Sequence, residues 1–253
     1  MSVMGPSEAI LPPFPGATGL TGISVYDWSS EEGLRGGAPH MHLACSECYV
    51  VVSGHGALHT LTIDGVREVA LDPGDVVWFT PGTIHRSINT DGSLEVVVVM
   101  ENGGLPEAGD AVLTFPSEYL ADPERYRRAA SLVGEDGRPS LARTRERRDL
   151  ALEGFWDLRE RTKAGDRAAL ADFYGAAARL VKPRLAEWQT RWEAGAHAGA
   201  LHTAEQISAL ERGEYSHLFS ASVYRIARPE EQAYGMCGFL RPYDPARIAG
   251  SAT

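Results

Sequence analysis

The chain has 253 residues, is 43% hydrophobic and carries a formal net charge of −10 at pH 7, and this length suffices for one enlarged domain or two small ones. Positions 1–110 hold fourteen acidic and three basic residues, whereas the remaining positions hold 20 acidic and 21 basic residues. Because nucleic acids and multiply phosphorylated molecules bind to basic surfaces, this distribution argues against both as partners of the N-terminal half.

The composition also bears on the compartment. No stretch of about 18 apolar residues is present, and no basic region precedes an apolar one at the N-terminus, so we expect a cytoplasmic protein without membrane contact. Three cysteines, Cys45, Cys48 and Cys237, argue against a disulfide framework. Cys45 and Cys48 have the spacing of a redox or zinc pair. Since no second pair lies nearby, we interpret them as small buried thiols, with redox sensitivity beside a metal as the alternative.

The first half of the chain is predicted to be a β-barrel. Residues 1–21, with prolines at positions 6, 12, 13 and 15, predict an irregular N-terminal segment. Over residues 22–116, short runs rich in Val, Ile, Thr and aromatic residues alternate with glycine-containing turns, which is typical of an antiparallel barrel. Asp64-Gly65 is a strong hairpin signal. The candidate strands are 23–28, 48–52, 57–63, 67–71, 76–79, 84–89 and 94–100.

Two short motifs within this half carry metal-binding chemistry. His40 and His42 lie two residues apart, so in an extended strand they project from the same face. Glu47 follows them, and His85 lies in the sequence Pro-Gly-Thr-Ile-His about 40 residues later. Three imidazoles and one carboxylate suit a divalent transition metal that keeps open positions for water or substrate. A pocket without metal is the alternative.

The spacing of these motifs resembles that of the cupin superfamily. His40, His42, Glu47 and Gly54 match its first motif, and the second motif is matched by Gly74, Gly82, His85 and Asn89. Leu34 replaces a glycine that usually opens the first motif, and Thr80 replaces a proline of the second; both departures affect turns, not ligands. The resemblance covers roughly residues 22–101 and implies a mainly β fold with α, in which a jelly-roll-like antiparallel barrel precedes a helical C-terminal region.

The C-terminal region, residues 117–253, is predicted to be a mostly helical extension that covers one mouth of the barrel or mediates dimerisation. No family motif is evident in it. The expected features, in chain order, are a helical turn at Ser117, a helix from Asp122-Pro123 to about 132, a break at 133–139, a solvated helix face at 143–148, a helix over 168–181 ended by Pro183, an apolar stripe of Leu185, Trp188 and Trp192, a capping box at 203–206, and strands near 218–227 and 235–240.

The resemblance implies several kinds of activity, including dioxygenases, decarboxylases, sugar-phosphate isomerases, lyases and non-catalytic sensors, and the fold does not choose among them. We expect a metal-dependent enzyme acting on a small organic molecule as an iron(II)-type dioxygenase, with manganese, nickel, zinc, cobalt or copper as other possible metals. A metal-dependent isomerase or lyase is the first alternative, and a ligand-binding or regulatory module without turnover is the second.

Individual side chains refine this expectation. Glu47 and Tyr49 share strand parity and are the candidate catalytic residues, and Tyr49, Trp78 and Phe79 are compatible with a cyclic substrate. His55 and His59 are expected at a turn or on the surface. Barrels of this family often pair, so a homodimer is the default expectation.

Overall fold

The barrel consists of two antiparallel sheets. The computed structural model describes residues 12–245. One sheet has the strand order β10-β11-β1-β8-β3-β6 and the other has the order β5-β4-β7-β2-β9. The strands are β1 (Gly19–Val25), β2 (His40–His42), β3 (Glu47–Ser53), β4 (Gly56–Thr62), β5 (Gly65–Leu71), β6 (Val76–Phe79), β7 (Ile84–Asn89), β8 (Glu95–Met100), β9 (Ala111–Leu113), β10 (Ala233–Tyr234) and β11 (Gly238–Tyr243).

The core lies between the sheets because strand side chains alternate in direction. In β8, Val96, Val98 and Met100 are buried while the residues between them are partly exposed. β3 alternates in the same way and buries Glu47, Tyr49 and Val51. The branched valines favour this pleated, half-buried setting. The inner faces therefore present apolar side chains together with a few polar ones, and the polar ones define the site described below.

The predicted hairpin and one motif glycine are explained by backbone geometry. β4 and β5 pair from Thr62 opposite Gly65, so the turn residues are Ile63 and Asp64. The turn lies one residue earlier than the expected Asp64-Gly65, and Gly65 begins β5. Gly54 has φ +74°, and a Cβ there would lie 2.4 Å from the backbone carbonyl of Ser93. Since a side chain meets both a disfavoured φ and a backbone clash, the turn before β4 requires glycine.

Within residues 12–245, six α-helices lie between β9 and β10. They are α1 (Ser117–Leu120), α2 (Pro123–Ala130), α3 (Leu141–Lys163), α4 (Arg167–Val181), α5 (Leu185–Trp192) and α6 (Ala198–Glu211). Asp122, Ser140 and Asp166 cap the starts of α2, α3 and α4 by accepting hydrogen bonds from backbone N–H groups. Within residues 12–245, no helix combines the length and apolar character that crossing a membrane would require.

The helices are held against the barrel by close packing and by side chain to backbone hydrogen bonds. A Cβ at Gly154 of α3 would lie 2.1 Å from the carbonyl oxygen of Thr114, so this glycine permits the helix to reach the barrel. The Tyr174 hydroxyl donates to the Gly82 carbonyl at 3.0 Å. The Trp188 indole and Arg184 donate to the Ala108 carbonyl at 3.1 and 3.0 Å. The loops before β7 and β9 are therefore anchored by helices.

Several sequence-based expectations for the chain outside the central barrel were wrong. Residues 19–21 belong to β1, and the expected irregular segment at 1–11 lies outside the described residues. The capping box at 203–206 lies inside α6, where the Thr203 hydroxyl bonds to the Gly199 carbonyl. Residues 218–227 form no strand: Ser216–Ser220 is a 3₁₀ turn, and the second returning strand begins only at Gly238. Local alternation at 218–227 misled the prediction because no sheet edge pairs with this segment.

Two predictions for the helices were also wrong in part. Arg147 and Arg148 are buried, not solvated, because both reach across to backbone carbonyls of other segments. Of the apolar stripe on α5, only Trp188 is buried, while Leu185 and Trp192 are exposed. The sequence does not show that a buried backbone carbonyl lies within reach of an arginine side chain. Helical spacing likewise does not show which face of a helix packs against the rest of the protein.

Candidate metal centre

Four polar side chains meet between the two sheets. His40 and His42 come from β2, His85 comes from the adjacent β7, and Glu47 comes from β3 of the opposite sheet. All four are buried, and one ligand atom from each lies within 4.8 Å of the others. Within residues 12–245, no other group of three or more His, Cys, Asp or Glu residues comes together in this way. These residues could hold a metal ion.

Strand register explains why side chains distant in sequence converge. His40 is paired directly with His85 across the β2–β7 ladder. His42 lies two residues further along β2, on the same face as His40. Glu47 is paired with Phe79 on one side and Met100 on the other, so it occupies a central position of its sheet. The arrangement is therefore built on paired strands rather than on loops.

Each imidazole is oriented by a hydrogen bond from its Nδ1 atom. In His40 this nitrogen lies 2.9 Å from the carbonyl oxygen of Ala38, and in His85 it lies 3.2 Å from the carbonyl oxygen of Thr83. A carbonyl oxygen only accepts, so in both rings Nδ1 carries the proton and Nε2 presents a lone pair. In His42 the Nδ1 atom lies 3.3 Å from Oδ2 of Asp110. Such outer hydrogen bonds fix the tautomer of metal-binding histidines.

Two inner atoms of the cluster, one on Glu47 and one on His85, lack hydrogen-bond partners. Glu47 Oε2 lies 3.2 Å from Nε2 of His42 and 3.2 Å from Nε2 of His85. Nevertheless, Glu47 Oε2 and His85 Nε2 are buried without a hydrogen bond among the described residues. A carboxylate oxygen and an imidazole lone pair facing each other are both acceptors. A cation between them would satisfy both, so the donor set fits a transition metal.

The electrostatics of the cluster place His40 and Glu47, but not His42, in the protonation states that bind metals. Burial and the neighbouring imidazoles of His85 and His42 hold the pKa of His40 well below its usual value. Burial opposes ionisation of Glu47, but the imidazoles of His85 and His42 lower its pKa far below the usual range. Burial also opposes protonation of His42, yet the hydrogen bond with Asp110 and the nearby Glu47 carboxylate raise its pKa to about 9. A neutral His40 and an ionised Glu47 are the forms that bind metals.

Asp110 is a functional residue that the sequence analysis missed. It is fully buried, and its carboxylate accepts hydrogen bonds from the backbone N–H groups of Leu43, Ala44 and Cys45 in addition to facing His42. It therefore connects the end of β2 to the His42 ring. The one local signal was an acidic residue just before β9, and β9 itself was not among the predicted strands.

The other predicted residues lie at varying distances from this centre. Tyr49 is fully buried, and its hydroxyl accepts from the Ser87 hydroxyl at 3.1 Å and contacts the Cys237 sulfur at 3.3 Å. The Phe79 ring lies 4.2 Å from the His85 ring, centroid to centroid. Trp78 is 71% exposed, so its expected proximity to a pocket was wrong. Adjacent strand residues point to opposite faces, and Phe79 takes the inner one.

The remaining histidines and cysteines are not part of the cluster. His55 is exposed and pairs with Asp72 at 2.8 Å, and His59 pairs with Glu68 at 2.9 Å. The three cysteines are free; Cys45 and Cys237 are buried and Cys48 is partly buried. The surface placement of His55 is confirmed, and so is the interpretation of Cys45 as a buried thiol.

Residues 28–100 match the family described as "Cupin domain". This match covers β2 to β8 and includes all four clustered residues. No curated protein matches the chain.

Several solved structures resemble part of the chain. CapF, a capsular polysaccharide assembling protein from Staphylococcus aureus, has 16% identity, a TM-score of 0.31 and coverage of 36% of this chain and 25% of its own. Pac13 from Streptomyces, a nucleoside dehydratase, has 21% identity, a TM-score of 0.26 and coverage of 33% and 58%. A predicted oxalate decarboxylase from Thermotoga maritima has 28% identity, a TM-score of 0.23 and coverage of 25% and 53%. This chain thus spans a quarter to just over half of these proteins, and TM-scores this low carry no argument about function.

Proposed function

We propose that this protein is a metal-dependent enzyme acting on a small organic molecule, and specifically an iron(II)-type dioxygenase, because residues 28–100 match the cupin domain family and contain the four clustered residues. The observation that carries the proposal is the unpaired, inward-facing set of Glu47 Oε2 and His85 Nε2 beside His40 and His42. Bound iron(II) would supply redox chemistry towards dioxygen and open positions for a substrate. The side chains of the cluster would hold and orient the metal.

The ligand residues would hold and orient the metal. Ala38 and Thr83 position the rings of His40 and His85 through their carbonyl groups, and Asp110 positions His42. Glu47 contributes the one negative charge, so the four ligands leave a divalent ion with net positive charge. His42, at 8% exposure, is the most accessible of the four. We therefore propose that a substrate approaches from the His42 side.

The surroundings of the centre favour oxygen chemistry over proton transfer. An isomerase or lyase needs a side chain that accepts a proton near neutral pH. Burial, with the nearby Cys237 and Glu47, raises the pKa of Tyr49 well above its ordinary value, and burial raises the pKa of Cys237 to about 12. Asp110 is held by three backbone N–H groups. Neither Tyr49 nor Cys237 is therefore ready to take a proton near neutral pH.

Tyr49 is proposed to act as a neutral hydroxyl. Its raised pKa keeps the phenol protonated, so it can donate a hydrogen bond but cannot serve as a base near neutral pH. Ser87 and Cys237 hold the hydroxyl in place. Glu47 is proposed as a ligand whose charge balances the metal. Tyr49 and Glu47 thus both have a proposed role, and neither acts as a proton acceptor.

The experiment that tests the proposal compares metals and atmospheres. The full chain is reconstituted anaerobically with iron(II), manganese(II) or zinc(II), and candidate substrates are assayed for oxygen uptake and for turnover without oxygen. We expect substrate-dependent oxygen uptake with iron(II) only, lost in His42→Ala and retained in His55→Ala, the control on an exposed histidine. Equal turnover under argon would overturn the dioxygenase in favour of an isomerase or lyase.

The homodimer remains a prediction, and the structure offers a candidate contact for it. Exposed apolar side chains lie near the end of α6 and in the segment after it, at Leu210, Leu218, Phe219 and Val223. We propose that a second copy of this chain covers them. Light scattering coupled to size exclusion should show a dimer that Phe219→Asp converts to a monomer, and a monomer in the unsubstituted protein would contradict this.

A further inference from the structure

A cavity lies outside the candidate metal centre, between the barrel edge and the helices. It has a volume of about 410 Å³ and lies between β9, α2 and the end of α4. We call it the Arg147 pocket and define it by Val112, Leu113, Tyr126, Arg147, Val181 and Met236. Its volume falls in the range of small-molecule sites.

The charge of this cavity is opposite to that of the chain. Three arginines, Arg127, Arg147 and Arg184, line it, and none of the described lining residues is Asp or Glu. Arg127 forms an exposed ion pair with Glu124, and Arg184 donates to the Ala108 carbonyl. A cavity with only positive side chains in a protein of net charge −10 is a local attraction for anions.

Arg147 is the feature that points to a ligand. The residue is only 7% exposed, and no carboxylate within residues 12–245 pairs with it. Its Nη2 donates to the Gly235 carbonyl, while its Nε is buried without a partner. Burial lowers the pKa of Arg147, whereas the Tyr26 and Tyr126 hydroxyls raise it. A buried cation without a counter-charge is costly, and an anion in the cavity would offset that cost.

Tyr126 supplies a second polar group in the wall. Its hydroxyl oxygen accepts from the Leu113 backbone N–H at 3.0 Å, which leaves the phenolic proton for another acceptor. Burial raises its pKa to about 12, so the phenol stays protonated. The remaining wall is mainly apolar, with Val112, Leu113, Val181 and Met236. A ligand that satisfies both parts has an anionic head and an apolar body.

We propose that the Arg147 pocket binds a small organic carboxylate, with the carboxylate on Arg147 and Tyr126 and the apolar body against Val112, Val181 and Met236. A guanidinium matches a carboxylate in shape and charge. Inorganic phosphate offers nothing to the apolar wall. The site is separate from the proposed function, because its ligand does not touch the four clustered residues. β9 nevertheless pairs with β2, which carries His40 and His42.

Calorimetric titration of the full chain tests this proposal with benzoate and 4-methylpentanoate as probes. We expect saturable binding of at least one probe, with one site per chain and an affinity in the micromolar to millimolar range. Benzamide, the uncharged analogue of benzoate, and inorganic phosphate should bind at least about tenfold more weakly. The same titration is repeated with His42→Ala, and unchanged binding separates this site from the metal centre.

Variants locate the binding. Arg147→Met should weaken it at least about tenfold, while Arg143→Met, on the same helix but outside the cavity, should leave it unchanged. Because Arg147→Met also removes the bond to Gly235, Ala130→Trp provides a second test that keeps the guanidinium and fills the cavity. Absence of binding by both probes, equal binding of benzamide or phosphate, loss in His42→Ala, or full binding in Ala130→Trp would each overturn the proposal.

Discussion

The barrel and the helical region use buried polar groups in different ways. In the barrel, the three imidazoles and the carboxylate of the candidate metal centre converge on one another and leave Glu47 Oε2 and His85 Nε2 unpaired. Against the helices, buried Arg148 and the Trp188 indole reach outward singly to backbone carbonyls. Several unpaired acceptor atoms that converge on one point indicate a binding site for a ligand. A single buried side chain that donates to a backbone carbonyl indicates that it holds a helix against the barrel. Arg147 combines the two patterns, because its Nη2 donates to the Gly235 carbonyl while its Nε has no hydrogen-bond partner.

The largest expected effect concerns the centre itself. His85→Ala removes one of the four proposed ligands, so metal affinity should fall by at least about 100-fold. Metal content after equilibrium dialysis against iron(II) or zinc(II) measures this, with His59→Ala as the control. If His85→Ala retains full metal content, the convergence of donors in the barrel does not form a metal site.

The attachment of the helices is tested by glycine substitutions. Gly154→Ala places a Cβ 2.1 Å from the Thr114 carbonyl oxygen and should lower the free energy of unfolding by about 3 kcal/mol. The matched control, Gly175→Ala in α4, meets only the Arg179 guanidinium at 3.4 Å and should raise stability by up to about 1 kcal/mol. Urea denaturation of both variants checks the contrast. Equal effects would show that α3 is not closely packed on the barrel.

A smaller effect is expected at the position behind the ligands. Asp110→Asn keeps the shape of the side chain but removes the charge that faces His42, so metal affinity should fall about 10- to 100-fold. Competition with a chelating dye gives the affinity. An unchanged affinity would mean that Asp110 serves only the backbone N–H groups of residues 43–45.

The metal-free centre should make stability depend on pH with a maximum near 6.5. Burial keeps His40 neutral when folded, so stability falls as pH decreases below the unfolded pKa, about 6.5. His42, with its pKa raised to about 9, loses its stabilising proton as pH rises from about 6.5 to 9. The loss on the alkaline side should be about 3 kcal/mol. Urea denaturation of chelator-treated protein measures it, and bound metal should abolish this alkaline loss.

The smallest effect is expected on the exposed segment after α6. Val223 is 98% exposed, so Val223→Ser should change the stability of the isolated chain by less than about 0.5 kcal/mol. Thermal unfolding at low protein concentration checks this. A larger loss of stability would mean that the segment after α6 is packed against the rest of the chain. The helical region would then differ less from the barrel in how it is packed.

Much of the barrel could be predicted from the sequence because strand signals are local. The runs at 76–79 and 84–89 coincide with β6 and β7, and the clustering of His40, His42, Glu47 and His85 followed from a two-residue period and motif spacing. Asp110 could not be found in this way. It meets His42 through the pairing of β2 with β9, two strands separated by nearly 70 residues.

For the helical region, the sequence predicted where α2 and α4 lie and that residues 143–148 of α3 are helical, because caps and apolar periodicity depend on neighbouring residues. The burial of Arg147 and Arg148, the outward position of Trp78 and the cavity beside β9 depended on which surfaces meet in three dimensions. Local sequence thus specifies the backbone conformation and which residue types are available to bind a metal. Chain packing specifies which polar groups find partners, because a partner distant in sequence leaves no trace in the neighbouring residues.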